Sequence, residues 1–472
     1  MTFGSVFSTR EARRQLAIGA PIFVAQLSQF GMSFTDTLMT ARVGQEHVAA
    51  VAVAGSLWAP ASVLPGGVLL VLPPMTAALV GSGRRPDTAH LMRQGLVLAG
   101  IMGIVFVAAL ALAADVLPLF GLDPVMTHLA RGYLHAVQWG LPGYLCYVVL
   151  RSFLDGYGMT RPDMVVGLLG LALNIPCNFV LINGELGFPR LGAIGAGIAT
   201  SLCYWFMAFA MWWYVSRSSR FTDLKPLFTP LLGLGGRSAA DPPRLDWRCM
   251  GRILRIGTPN AFALFVEVSL FAVTALLLAP LGPAVVAGHQ VAMNFACVVF
   301  MLPLMLGVTV SIRVGHHVGA GRMEEARRAG STAQCLSVLC SLGIAAGIVL
   351  FREDIVGWYT REPDVTALAL QLLLLSACYQ MVDGLQTTTA GILRGYNDTR
   401  TILVACLVAY WGIGLTLGYG LARTDIFGAP MGAVGFWLAY ILALVVIACA
   451  YGLRLRHLYG LDPGRLRLSV VR

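Results

Sequence analysis

Runs of about 20 residues with hardly a charge recur along the whole of this 472-residue chain, each long enough to cross a bilayer as a helix. No other feature so narrows the folds open to it. In hydrocarbon there is no water for backbone N–H and C=O groups, so they must pair within a helix or around a closed barrel. Barrel strands run only about 9–11 residues and alternate in polarity, and this chain does not alternate. It is therefore read as an all-α integral membrane protein. Charge agrees: 12% of residues are charged and 57% are apolar, about half the charge of a soluble domain. The longest polar stretch, roughly 217–248, is too short to be a soluble domain.

Twelve spanning helices are expected, at about 15–40, 47–80, 89–114, 125–152, 163–184, 191–216, 251–281, 284–315, 329–352, 365–393, 401–422 and 430–456. With the N-terminus in the cytoplasm, only six of the 33 Lys and Arg fall outside: Arg42, Arg131, Arg190, Arg352, Arg361 and Arg423. That is a strong positive-inside bias. It places both termini in the cytoplasm and favours an even helix count. The first residues, MTFGSVFSTREARRQ, lack an apolar core with a cleavage site, so no cleaved signal peptide is expected.

The net charge of +10 does not point to nucleic acid. The basic residues lie in short loops without interleaved aromatics. The ten cysteines form no C-x-x-C pair and nearly all lie in apolar runs, so they read as small core residues rather than a disulfide or metal framework.

The chain contains an internal repeat. LAIGAP at 16–21 matches LRIGTP at 254–259, and a constant shift of 238 places Gly44 on Gly282, Leu64 and Pro65 on Leu302 and Pro303, and GSGR at 81–84 on GAGR at 319–322. Further on, LDGYGMTR at 154–161 matches LRGYNDTR at 393–400, and GAIG at 192–195 matches GAVG at 432–435. Constant register through Pro, Gly and Arg together argues for duplication. The expected organisation is an N-terminal six-helix lobe at 1–216, a cytoplasmic linker at 217–250, and a C-terminal six-helix lobe with a tail at 251–472. Six helices per repeat give both lobes the same orientation, with a pseudo-twofold axis along the membrane normal, an architecture that suits alternating access.

Three acids lie well inside apolar runs: Asp36, Glu267 and Asp383. Counting along the helices, Glu267 sits roughly 20 Å and Asp383 roughly 15 Å from the cytoplasmic ends, and Asp36 roughly 30 Å along the first helix. Pro21 and its repeat mate Pro259 offer places for the first and seventh helices to bend. No intramembrane Lys or Arg stands out as a partner, so each acid must be protonated, hydrated or holding a cation. The plainer alternative is a wet cavity acid with no part in turnover. Asn174 and Asn178, four residues apart around Pro176, share a helix face, as do Tyr379 and Asp383. Interhelical hydrogen bonding is the competing reading for these pairs.

Arg151, Asp155 and Arg161, with Arg394, Asp398 and Arg400 in the second repeat, are read as orientation anchors or gating salt bridges at cytoplasmic helix ends. His135, His289, His316 and His317 are read as structural hydrogen-bonding groups, with proton relay as the alternative. No nucleophile constellation, phosphate loop or metal-ligand cluster is visible, so an enzyme is not expected.

Taken together, FTDTLMTARVG, SLWAP, RPDM, LNIPCNF, LFVEVSLF, AGHQVAMNF, YQMVDGLQTTTAGILRGYNDTR and FGAPMGAVG resemble the multidrug and toxic compound extrusion (MATE) family in its NorM-like bacterial branch, over about residues 14–455. The resemblance implies a secondary antiporter of the bacterial inner membrane, working as a monomer without a cofactor. It would export organic, often cationic, drugs in exchange for Na⁺ or H⁺. It implies that Asp36, Asn174 and Asn178 act in the N-lobe, that Glu267, Asp383 and Tyr379 bind the coupling cation in the C-lobe, and that helix bending maps onto Pro21. A flippase for a lipid-linked or polar metabolite is the alternative; it calls for arginines in the cavity, where this chain has acids. A channel is the other alternative.

Overall fold

The computed structural model describes residues 7–120, 123–222, 245–426, 429–461 and 464. Every regular element among them is helical: α1 (Thr9–Ala41), α2 (Gln45–Leu69), α3 (Leu72–Gly81), α4 (Arg85–Val116), α5 (Pro124–Val137), α6 (Gly140–Gly156), α7 (Arg161–Asn183), α8 (Ala193–Arg217), α9 (Trp247–Leu278), α10 (Pro283–Gly319), α11 (Met323–Tyr359), α12 (Pro363–Gly395), α13 (Thr399–Cys406), α14 (Thr416–Arg423) and α15 (Ala433–Gly460), with short 3₁₀ turns. Most of the expected linker, residues 223–244, lies outside the described residues.

Eleven spans among the described residues are long and apolar enough to cross a membrane. The remaining expected span, the fourth, at 125–152, is divided at Gln138–Trp139 into α5 and α6, of 14 and 17 residues, so neither piece reaches membrane length alone. Asp123 starts α5 by accepting the Val125 and Met126 amides at 2.9 and 3.3 Å, the usual role of Asp at an N-cap. The second span is interrupted between α2 and α3, where Pro73 and Pro74 remove two successive backbone donors. The eleventh span widens between α13 and α14 into a π-helical segment, Leu407–Leu415. By contrast α1, α7, α9 and α10 run unbroken through Pro21, Pro176, Pro259 and Pro303.

The chain forms two compact units, one of Ala20–Ala261 and one of Phe262–Arg472 together with Met1–Gly19. The chain therefore passes from one unit to the other inside α1 and α9, within three residues of the repeat-matched Pro21 and Pro259, and not in the polar stretch at 217–250.

In the Ala20–Ala261 unit, α8 packs against α5, α6 and α7, and α4 against α6. The first part of α9 is held on α2: Asn260 donates to the Gly67 carbonyl at 2.9 Å, and Gly257 lies so close to Val68 that a Cβ there would collide with its backbone oxygen. The other unit is organised around α12, which packs against α10, α11 and α15. It holds the first part of α1 in the matching way. Glu11 accepts two hydrogen bonds from Arg313 at 2.7 and 2.8 Å, and Gln15 donates to Ala329 O at 2.8 Å. Gly19, the repeat mate of Gly257, lies against Met305. Each half of the sequence thus lends the start of its first helix to the unit built by the other half.

Candidate functional site

In the Ala20–Ala261 unit the helical run of α1 turns Asp36 inward, where it is 5% exposed. Small residues let α7 come close: at Gly167 a Cβ would sit only 3.3 Å from Ala25 Cα. The i, i+4 spacing on α7 then presents Asn174 and Asn178 together. Asn174 Nδ2 donates to Asp36 Oδ1 at 3.0 Å, Asn178 Nδ2 donates to the same oxygen at 2.5 Å, and the asparagines are themselves joined at 3.0 Å. Thr200, on α8, completes the set by donating its hydroxyl to Asp36 Oδ2 at 2.6 Å. Both asparagines are fully buried. Pro176 between them leaves the Ala172 carbonyl without its helical donor. All three sequence-predicted residues of this half meet. Thr200 was missed, because a threonine in the small, apolar GAGIATSLC carries no mark that sets it apart.

The second unit gathers Tyr379 and Asp383 on one face of α12, 6% and 1% exposed. Glu267, half-buried on α9, lies within electrostatic reach of Asp383. Tyr379 packs edge-on against Trp437 of α15, ring centroids 5.8 Å apart, and Trp437 donates to His289 Nδ1 at 3.2 Å. Gln380 donates to Ala296 O at 3.0 Å, which fixes α12 against α10 beside the acids. Asp383 Oδ1 and the Ser376 hydroxyl are buried with no hydrogen-bond partner among the described residues, and the buried Tyr410 hydroxyl interacts with the Glu267 carboxyl. Tyr410 stands in the π-helical segment and lies within electrostatic reach of Glu267, Tyr379 and Asp383. Single π turns frequently occur at functional positions in helices.

One expectation is corrected here. The acids are not all without a basic neighbour: Arg394, buried in the last turn of α12, bears electrostatically on Glu267. Counting along its own helix puts Arg394 at a helix end. Only packing brings its charge close enough to act on the α9 acid. Of the histidines, His289 accepts from Trp437, and His317 contacts Arg313 at 2.9 Å and Glu325 at 3.0 Å. All ten cysteines are free thiols. Among the described residues no group of three or more His, Cys, Asp or Glu is arranged to hold a metal ion.

Chemically, the first unit offers carboxylate, amide and hydroxyl oxygens and the second carboxylate, hydroxyl and phenol oxygens in an apolar bundle, donors suited to a hard cation or a proton. Duplicated helical halves, each with such a cluster among membrane-length helices, define a polytopic membrane carrier. The MatE family model matches residues 21–180 and 259–420, once in each half, and the chain belongs to that family. It is 43% identical over 449 residues, 95% of its own length and 96% of the other's, to the multidrug resistance protein MdtK of Yersinia pestis (strain Pestoides F). To the MdtK of Yersinia enterocolitica serotype O:8 / biotype 1B it is 42% identical over 449 residues, again 95% of this chain and 96% of the other. Its fold resembles the crystal structure of the eukaryotic MATE transporter AtDTX14 with a TM-score of 0.85, covering 98% of both chains at 20% identity.

Proposed function

We propose that this protein is a secondary multidrug antiporter, exporting organic and often cationic compounds across the bacterial inner membrane in exchange for Na⁺ or H⁺. It works as a monomer with both termini in the cytoplasm. Asp36 carries the reading. It is buried, and the three groups that hydrogen-bond to it, Asn174, Asn178 and Thr200, are all neutral. A carboxylate held in this way within a membrane protein must find its counter-charge in a mobile cation or a proton. The names of the MdtK relatives support drugs as the cargo.

In this reading, an external cation neutralises one or more of Asp36, Glu267 and Asp383. Cationic substrate loses its attraction and leaves outward. Alternating access then exposes the site inward, where the ion departs and the acid is again free to hold substrate. Exchange follows because one negative charge serves two ligands in turn, so each ligand weakens the binding of the other. Glu267, Asp383 and Tyr379 hold the coupling ion in the second unit, with Arg394 as the fixed charge that competes for Glu267.

The test is efflux of a fluorescent cationic dye from energised vesicles carrying wild type or Asp36→Asn, with a Na⁺ gradient and a pH gradient imposed separately. Export driven by one gradient and abolished in the variant supports the antiporter and names the ion. Export of the dye that is indifferent to both gradients refutes it.

A further inference from the structure

A second buried acidic group lies in the Ala20–Ala261 unit, apart from Asp36 and its partners. Arg151 and Asp155 on α6 and Asp163 in the first turn of α7 are drawn together in the interior. Asp155 is 1% and Asp163 0% exposed, and the Arg151 side chain 11%. Arg151 Nε stands 3.8 Å from Asp155 Oδ2 and 3.9 Å from Asp163 Oδ2. Charge-assisted hydrogen bonds are about 2.7–2.9 Å long, so one guanidinium is shared between two carboxylates and closes fully on neither. Tyr147 donates its hydroxyl to Asp163 Oδ1 at 2.5 Å and lies under the guanidinium, 6.0 Å from ring centroid to Cζ. Tyr144 is the remaining titratable group that faces Arg151. Asp155 Oδ1 and Asp163 Oδ2 are buried and have no hydrogen-bond partner among the described residues.

The charges do not balance. Two ionised carboxylates and one guanidinium leave a net negative charge where water does not reach, and an uncompensated buried charge is strongly unfavourable. One proton makes the group neutral. Tyr147 already stabilises an ionised Asp163, whereas Asp155 Oδ1 has no donor. The repeat supplies no second copy: LDGYGMTR aligned with LRGYNDTR puts Arg394 at the position of Asp155.

We infer that Arg151, Asp155, Asp163 and Tyr147 form a proton-binding site, distinct from Asp36, in which Asp155 carries one proton as a neutral carboxylic acid. Binding forms one O–H bond on the Asp155 carboxyl with a proton taken from water, and release returns it. The protein thereby has a titrating group for H⁺ in its first half that does not compete with drug for Asp36.

Infrared spectroscopy of the purified full-length protein in lipid reads this directly, through the C=O stretch of protonated carboxyl groups in H₂O and D₂O. Wild type at neutral pH is expected to show a deuterium-sensitive band that Asp155→Asn removes. Asp163→Asn should remove the same band, because Asp155 then ionises as the sole anion beside Arg151. Asp36→Asn should leave it in place. Circular dichroism establishes that each variant is folded. Unchanged carboxyl bands in folded Asp155→Asn overturn the assignment. So does a band that Na⁺ abolishes at constant pH, which would make the group a metal-cation site instead.

Discussion

The Thr200 hydroxyl and the Asn178 amide approach the Asp36 carboxylate from opposite sides, Thr200 to Oδ2 at 2.6 Å and Asn178 to Oδ1 at 2.5 Å. Both oxygens are therefore held, and the carboxylate cannot rotate without breaking one of the bonds. A hydrogen bond to a charged group is worth roughly 1.5–3 kcal/mol. Thr200→Val keeps the shape of the side chain and removes that bond. Export of a cationic dye should weaken by about tenfold or more, consistent with that energy, at unchanged protein level in the membrane. Asp36→Asn, which removes the charge itself, should abolish gradient-driven export. A Thr200→Val protein that matches wild type would exclude this hydroxyl from the site.

The acids of the second unit carry a separate expectation. Glu267→Gln and Asp383→Asn preserve size and hydrogen-bonding capacity, so both variants should insert and remain folded. Each removes a negative charge that a coupling cation would use. Coupled export should fall to background in either variant, measured with the gradient that drives wild type. Gradient-driven efflux at the wild-type rate from both variants would detach these residues from coupling.

Tyr410 tests whether the π-helical segment serves that same cluster. Its buried hydroxyl interacts with the Glu267 carboxyl, and a hydrogen bond to a charged group is worth roughly 1.5–3 kcal/mol. Tyr410→Phe removes that interaction and keeps the ring. The variant should remain folded, with a thermal unfolding midpoint no higher than that of wild type. Its affinity for the coupling ion should fall severalfold, read from the dependence of efflux on Na⁺ or H⁺ concentration. Unchanged ion dependence in the folded variant would make the π segment a packing feature only.

Much of this was legible in the sequence because polar residues are rare in apolar runs. Asp36, Asn174, Asn178, Tyr379 and Asp383 stand out against their surroundings, and the i, i+4 spacings predict shared faces that the helices display. The duplication showed in a constant register of Pro and Gly. The contributions of Thr200 and Tyr410 were not legible, since each is one of many neutral hydroxyls and acquires meaning only from the helix packed beside it. The electrostatic influence of Arg394 on Glu267 is tertiary for the same reason. So is the passage between units inside α1 and α9: periodicity tells which residues form a helix, but not that Glu11 will pair with Arg313, 302 positions away. The break at Gln138–Trp139 is marked by Pro142, which offers no N–H to the Gln138 carbonyl, but α1, α7, α9 and α10 run unbroken through their prolines, so a proline alone does not announce a break.

The exchanged helix starts yield the last prediction. Gly19 and Gly257 are repeat mates, each too close to its neighbour for a Cβ, but the neighbours differ. At Gly19 the nearest atom is the Met305 sulfur, on a flexible side chain that can turn aside. At Gly257 it is the Val68 backbone oxygen, and the helix axes themselves must move apart. Overpacking of this kind typically costs about 1–3 kcal/mol. Gly257→Ala should therefore lower the thermal unfolding midpoint in detergent clearly, and Gly19→Ala by much less, although the two substitutions are chemically identical. If both variants lose the same stability, the repeats are packed alike at these positions and the distinction between side-chain and backbone neighbours fails. If Gly257→Ala unfolds with wild type, α9 does not lie as close to α2 as the Asn260–Gly67 hydrogen bond requires.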